Sequence, residues 1–173
     1  ITYDIHQISM KGDTSSVGQK QIFIKGNSCK TILKTPAFTQ TLIFNTQQDT
    51  AIILKEIGLN KILQYISYAS MQPVNLVASK KNGTTNTLLD YPCETITLSW
   101  ADGNSMEVTY TTMIVPTVTV YEQAFKEIPG LVMRYQLTTK EGNKILYNAN
   151  KIDLSPITLN VFEVNKSNYQ QIN

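Results

Sequence analysis

Residues 127–164 read EIPGLVMRYQLTTKEGNKILYNANKIDLSPITLNVFEV, and this stretch decides the fold that the sequence predicts. Three apolar runs of strand length follow one another in it, EIPGLVMRYQL, GNKILYNANKIDL and PITLNVFEV, with turn residues between them. In the first run every second residue from Leu131 to Leu137 is apolar or aromatic, and Arg134 and Gln136 fall between them. This is the two-residue period of a strand. The pattern therefore predicts consecutive strands in a sheet that is wet on one side.

Hairpin signals recur through the rest of the chain. Gly26-Asn27 joins two apolar alternating runs, and Ala101-Asp102-Gly103-Asn104 joins two more. Asp-Gly favours such a turn because glycine adopts positive φ at little cost. Counted together, the runs predict about ten or eleven short antiparallel strands without βαβ crossovers. The expected architecture is one meandering sheet, rolled into an open or partly closed barrel.

One segment breaks the strand period. At residues 59–71 the apolar side chains Leu59, Ile62, Leu63 and Ile66 follow the i, i+3, i+4, i+7 spacing of a helix. Gly58 precedes this segment and Pro73 follows it. The spacing predicts a single helix whose apolar stripe packs in the concave face of the curved sheet. The fold class predicted from the whole chain is accordingly mainly β (α+β).

Length and composition favour one domain over residues 1–173. The chain has 42% hydrophobic residues and a net charge of +2 from 15 basic and 13 acidic residues. These charges are spread along the chain without a run of like sign, so they do not indicate the basic patch that binds nucleic acid. No apolar run approaches the roughly 20 residues that cross a bilayer, so no transmembrane segment is expected. Because Ile1 opens a strand-like run without an initiating Met, we expect a removed leader and an exported protein.

Few residues carry candidate chemistry. Cys29 and Cys93 are consistent either with a disulfide or with two small buried hydrophobic side chains. His6, the only histidine, could pair with either thiol, but no third orienting group is identifiable. Three widely separated Cys and His residues do not make a zinc site, and no phosphate or dinucleotide motif occurs, so no metal or cofactor is expected.

The carboxylates and the single arginine leave alternatives open. Thirteen carboxylates lie mostly in turns or alternate with apolar strand residues, so none is selected as a catalytic pair, although two could face each other across a sheet as in glycosidases. Arg134 is either an outward residue of the wet face or, if it faces a cavity, a bidentate holder of a carboxylate or phosphate head group. Aromatic residues such as Tyr135 are core positions first and pocket lining second.

Three patches resemble a known family. Ile128 with Pro129-Gly130-Leu131-Val132 resembles the Leu-Pro-Gly-Leu-Ile part of the signature of the GLPGLI family of uncharacterised exported bacterial proteins, with Glu127 where the signature has its first Gly. Residues 90–95, DYPCET, are similar to the Gly-Tyr-Lys-Cys-Lys-Lys segment of that family. Residues 108–111, VTYT, resemble its Trp-Tyr-Thr strand.

This resemblance implies a fold like that of the lipoprotein carriers LolA and LolB, an open barrel around a helix that holds acyl chains or other apolar ligands. It also implies a protein of the periplasm or outer membrane of a Gram-negative bacterium, with a lipid anchor if the removed leader carried an acceptor cysteine. The family brings no established activity with it.

Three functions follow as hypotheses. The first is a non-catalytic exported binding module that holds a lipid or other apolar small molecule between the sheet and the helix, in a cavity lined by Leu59, Ile62, Leu63, Ile66, Arg134 and Tyr135. The second is a structural or interaction domain of the envelope that binds a protein partner through an exposed strand edge. The third is a hydrolase with carboxylates that meet across the sheet.

Overall fold

The computed structural model describes residues 1–68, 76–101, 105–118, 125–126, 128–139 and 141–172, without the side chains of residues 76–78 and 84. These residues form twelve β-strands and a short 3-10 helix, and they contain no α-helix. The strands are β1 (Thr2–Ile8), β2 (Thr14–Lys25), β3 (Ser28–Lys34), β4 (Thr39–Asn45), β5 (Thr50–Ile57), β6 (Asn60–Ser67), β7 (Leu76–Leu88), β8 (Tyr91–Trp100), β9 (Ser105–Thr111), β10 (Leu131–Thr138), β11 (Lys144–Lys151) and β12 (Gln170–Ile172). The 3-10 helix comprises Leu159–Phe162.

All twelve strands belong to one sheet, in the order β12-β6-β5-β4-β3-β2-β1-β11-β10-β9-β8-β7. It consists of two meanders, β1 to β6 and β7 to β11, which are joined where β1 pairs with β11. Every pairing is antiparallel except that of β12, which adds to β6 in parallel over Gln170 to Ile172. The described residues contain no helix of the length and hydropathy that a membrane crossing requires.

The sheet must be strongly bent. Strands β6 and β7 are ten positions apart in the sheet order, which in a flat sheet would be about 48 Å. The link from Ser67 to Leu76 spans at most about 30 Å, even when extended. The inner face of this bend carries Tyr3, Cys29, Phe44 and other side chains that share one buried cluster with Leu98 and Met106 from the other meander.

In the described residues, side chains from loops and strands fill the inner face. Val118, Phe125 and Ile128, from the connection between β9 and β10, belong to the same buried cluster. The Phe125 ring meets the Tyr135 ring edge-on with centroids 4.9 Å apart, and Tyr135 stacks on Tyr147 at 4.3 Å. These described residues of the β9–β10 connection therefore pack on the inner face where the predicted helix was expected.

The outer face of β2 to β6 is crossed by the chain that follows β11, residues 152–169, which we call the strap. Lys25 Nζ donates to the Ile157 carbonyl, and Lys30 Nζ donates to the Val161 carbonyl at 2.8 Å. Further along, the Tyr169 hydroxyl donates to the Glu56 carboxylate. The strap thus leads the chain to the edge of the sheet, where β12 pairs with β6.

The predicted helix at residues 59–71 is wrong, and so is the mainly β (α+β) class that depended on it. Residues 60–67 form strand β6, and Gly58-Leu59 is the two-residue turn between β5 and β6. Gly58 has a φ of 57°, the positive value that glycine supplies at the first position of a tight hairpin turn. Residues 69–71 lie outside the described ranges.

The helical spacing arose because β6 buries residues on both faces. Ile66 packs against the inner cluster, whereas Leu63, which pairs with Leu54, is buried on the outer face beneath the strap. Apolar residues on both sides of a strand can fall at i, i+3 and i+4, which imitates a helix. The β-branched Ile62 and Ile66 and the aromatic Tyr65 were the residues that favoured a strand.

Other predictions meet mixed outcomes. The strands around Gly26-Asn27 are confirmed, with Lys25 paired to Ser28. The third strand expected at residues 156–164 is wrong, because that stretch is the strap with its 3-10 helix. Strands β8 and β9 are confirmed, while the tip of their turn at residues 102–104 lies outside the described residues.

Candidate functional site

The six residues predicted to line one cavity do not come together. Leu59 is fully exposed at the β5–β6 turn, with a relative exposure of 101%. Ile62 and Ile66 lie on the inner face of β6, while Leu63 lies on its outer face. Tyr135 and Arg134 are neighbours on β10 and point to opposite faces of the sheet. Arg134 is half-buried on the outer face.

Both cysteines are free and buried, so the alternative of two small buried side chains is the one observed. Burial raises the pKa of Cys29 to about 12, against a smaller opposing effect of the Lys20 charge. Burial also raises the pKa of Cys93. Reactive cysteines show the opposite shift. Among the described residues no group of three His, Cys, Asp or Glu side chains is placed to hold a metal ion.

The described carboxylates with a perturbed pKa are held in their charged form. Hydrogen bonds from Lys81 and Tyr110 lower the pKa of Glu94, and the Tyr169 hydroxyl lowers the pKa of Glu56. Backbone and side-chain hydrogen bonds lower the pKa of Glu141 and of Asp153 in the same way. A general acid at neutral pH requires a raised pKa instead.

Lys20 is the buried side chain of the inner face whose chemistry is best suited to a function. Its side chain lies in the core beside Tyr135, with Nζ 3.5 Å from the phenol oxygen, and 5.8 Å from the centre of the Tyr147 ring. Burial lowers the pKa of Lys20 to about 7, with a smaller opposing effect from Cys29. A lysine amine with such a pKa is a nucleophile in many enzymes, but this one lies in a packed core with 7% exposure.

Among the described residues, the clearest binding feature is a cleft of about 460 Å³ at one end of the sheet, which we call the end cleft. Its volume lies within the range of small-molecule pockets, about 300–1,000 Å³. Three parts of the chain line it: strands β1 and β2, the residues that follow β9, and the first residues of the strap. Its apolar walls include Ile22, Ile24, Ile114, Leu131, Ile152 and Leu154.

Hydrogen bonds fix the two loops that form the walls. Leu131 N–H donates to the Ile114 carbonyl at 2.9 Å, and the Thr117 hydroxyl donates to the Gly26 carbonyl at 2.7 Å. In the strap, Ser155 N–H donates to the Asp153 carboxylate at 3.0 Å. These contacts connect each loop either to another part of the fold or to itself, so hydrogen bonds hold the walls of the cleft in place.

Gly130 is required for the wall next to β9. A Cβ atom at this position would lie 2.0 Å from the backbone oxygen of Thr111, so the strand can approach only a residue without a side chain. The Pro129-Gly130 corner therefore needs a glycine because the backbone of β9 packs closely against it beside the cleft.

The mouth of the cleft combines apolar and charged groups. Val115 and Leu154 are lining residues with exposures of 66% and 68%. Lys151 and Asp153 also line it, and their Nζ and Oδ2 atoms are 3.7 Å apart. An apolar interior with a charged pair at the mouth is suited to an amphipathic molecule. The sequence pattern did not predict this site. Its only signal was two apolar segments with a proline in each, residues 114–117 and 152–157.

A smaller cavity of about 240 Å³ lies beneath the strap, between Phe162 and the ends of β3, β4 and β5. Ile43, Ile52 and Phe162 provide its apolar lining. Its size is below the usual range of ligand pockets. We treat it as a packing space under the strap.

Comparison with known proteins identifies no family. No family model matches the chain, and no curated protein matches it. Among solved structures the fold is similar to that of PNGF-II, crystallised in space group C2, with a TM-score of 0.51 and 13% sequence identity. The match covers 98% of this chain and 30% of PNGF-II. At this identity the likeness concerns the fold alone. The resemblance to the GLPGLI family and to LolA stays a prediction.

Proposed function

We propose that this protein is a non-catalytic binding module that takes an apolar or amphipathic small molecule into the end cleft. The observation that carries the proposal is the cleft itself: about 460 Å³, with isoleucine and leucine walls. The proposal keeps the class of function predicted from the sequence. It replaces the site, because the helix that was to form one wall is a strand.

The mouth of the cleft supports an amphipathic ligand over a purely apolar one. An aliphatic chain would displace water from the partly exposed side chains of Ile24, Ile114 and Ile152, and each buried CH₂ group contributes about 0.8 kcal/mol. A polar head group would then lie beside Lys151 and Asp153, which are largely exposed. The lowered pKa values of the carboxylates and the buried state of both thiols support a binding role over catalysis.

Titration calorimetry with n-alkyl carboxylates and n-alkyl alcohols of increasing length tests the proposal. We expect the affinity to rise about fourfold with each added CH₂ until the cleft is filled. Leu154→Asp should weaken binding at least tenfold, because it places a charge at the apolar mouth. Leu159→Asp is the matched control: Leu159 is 61% exposed, lies on the same strap, and does not line the cleft.

Two results contradict the proposal. One is the absence of binding at every chain length. The other is an equal loss of affinity in Leu154→Asp and Leu159→Asp. Organic extraction of the purified protein, followed by mass spectrometry for a lipid retained from the host, gives an independent reading.

A second candidate function, contact with a protein partner of the cell envelope, is favoured by the β5–β6 hairpin tip. Leu59 is fully exposed there, and Ile57, two residues earlier, is 42% exposed. If this tip is a protein contact, Leu59→Ser should abolish the capture of a partner that the unaltered protein captures from native envelope. Retention of the same partner by Leu59→Ser would contradict this candidate.

Export is part of the first proposal and is supported by the family resemblance. A lipobox in the coding sequence upstream of Ile1 would indicate an anchored form in the periplasm. Recovery of the natural protein in the cytoplasmic fraction of its host would contradict export.

A further inference from the structure

The outer face carries a continuous row of polar side chains that the proposed function does not use. Cross-strand pairing places one such residue on each of six adjacent strands, β8, β9, β10, β11, β1 and β2. In order, they are Thr95, Thr109, Arg134, Asn148, Asp4 and Gln19. Neighbouring strands are about 4.8 Å apart, so each of these side chains is the cross-strand neighbour of the next one in the row.

Arg134, the only arginine of the chain, lies at the centre of this row. Its Nε donates to the Asn148 Oδ1 at 2.8 Å, which fixes the plane of the guanidinium. The terminal nitrogens take part in no hydrogen bond or ion pair within the described ranges. A guanidinium held by one edge offers its remaining N–H groups as a fork, which matches two oxygens of an anion.

Two buried threonines form the neighbouring part of the site. Thr109 is directly opposite Arg134 on β9, and its hydroxyl lies 3.2 Å from that of Thr95. Both residues have an exposure of 5%. Cys93 lies within reach of the same charge: burial raises the pKa of its thiol, and Arg134 acts in the opposite direction.

Asp4 limits the charge that the site accepts. It lies one strand beyond Asn148, and its Oδ1 accepts a hydrogen bond of 3.4 Å from Gln19. About two strand spacings separate Asp4 from Arg134, close to the Debye length of about 8–10 Å at physiological ionic strength. Repulsion from Asp4 is therefore weak for a single negative charge and about twice as large for a dianion.

We infer that Arg134, oriented by Asn148, is a binding site for the carboxylate group of a ligand on the outer face of the sheet. Planar carboxylates accept the parallel hydrogen bonds of a guanidinium fork. Inorganic phosphate is a mixture of monoanion and dianion at neutral pH, and Asp4 offsets part of the extra attraction that the dianion has for Arg134. The site is separate from the end cleft, so either proposal can fail without the other.

The single arginine permits a direct experiment. In a ¹⁵N-labelled sample of the full chain, Arg134 gives the only guanidinium Nε–H resonance. We would titrate acetate, inorganic phosphate and chloride at matched ionic strength. We expect saturable shifts of this resonance and of the Asn148 side-chain amide with acetate, weaker shifts with phosphate, and none with chloride.

Substitutions sharpen the experiment. Arg134→Lys keeps the charge but removes the fork, and should weaken acetate binding roughly tenfold, as followed through the Asn148 amide. Asp4→Asn should tighten phosphate binding more than acetate binding, because it removes a charge and keeps the shape. Thermal unfolding of each variant confirms that the fold is retained. An Nε resonance that responds to chloride as it does to acetate, or a site that binds phosphate but not acetate, would overturn the inference.

Discussion

The two faces of the sheet place their cationic side chains in different environments. On the inner face Lys20 lies among aromatic rings, where burial lowers its pKa to about 7. On the outer face Arg134 is half-buried and hydrogen-bonded to Asn148. A lysine can adapt to a core because it can lose its proton, whereas a guanidinium keeps its charge and needs polar neighbours. The inner face around Lys20 is therefore packed core, whereas the outer face around Arg134 leaves a permanently charged group partly exposed.

The largest expected difference between the faces concerns packing. Leu98 and Thr97 are neighbours on β8, and only Leu98 lies on the inner face, where it is completely buried. Leu98→Ala should lower the free energy of unfolding by about 3 kcal/mol, because it removes buried methyl groups and leaves a cavity. Thr97→Ala should cost about 0.5 kcal/mol, since the Thr97 hydroxyl meets the Asn82 side chain in an exposed position. Urea unfolding measures both, and equal losses would contradict the assignment of the faces.

A smaller effect should appear in the pH dependence of stability. Unfolded Lys20 titrates near 10.5 and native Lys20 near 7, so between these values the unfolded chain holds the extra proton and stability rises with pH. Cys29 acts in the opposite sense above pH 9, because its pKa rises from 9.0 to about 12 on folding. The window for Lys20 is therefore pH 7 to 9, where its contribution should be about 2 kcal/mol.

Lys20→Met tests this by removing the titrating group while it keeps an unbranched side chain in the core. Urea unfolding at pH 7 and pH 9 should show the rise in the unaltered protein and its loss in the variant. Lys34→Met, at an exposed position on β3, should leave the rise unchanged. A rise that persists in Lys20→Met would mean that other groups cause it.

How far the sequence predicted the molecule depends on how each strand is covered. On β10 the predicted alternation is confirmed at Tyr135, which is buried between the half-buried Arg134 and Gln136, whereas Leu137 near the strand end is 37% exposed. On β6 the strap covers the second face as well, so the period of two was lost and a helix was predicted. The burial of the second face comes from residues far along the chain, such as Lys166, which lies 101 positions after its partner Tyr65.

The site was less predictable than the fold. The end cleft forms where two irregular segments meet the first two strands, and such loops have no hydrophobic period to read. Arg134 was singled out because it is unique in the chain, and its half-buried place on the wet face agrees with the outward alternative. Its partner Asn148 could be found only from the register of β10 against β11.

The smallest expected effect tests whether the buried polar side chains of the outer face are needed for stability. Thr95 and Thr109 share a buried hydrogen bond of 3.2 Å, so Thr109→Val should cost about 1 kcal/mol by leaving the Thr95 hydroxyl without this partner. The double variant Thr95→Val with Thr109→Val removes both hydroxyls and should recover most of that loss, because valine favours strands and no polar group is left without its partner. A double-mutant cycle followed by urea unfolding measures the coupling.

If the two single losses simply add, the hydroxyls act independently. If the double variant is as stable as the original but its Arg134 Nε–H no longer responds to acetate, the threonines serve the carboxylate site and not the fold.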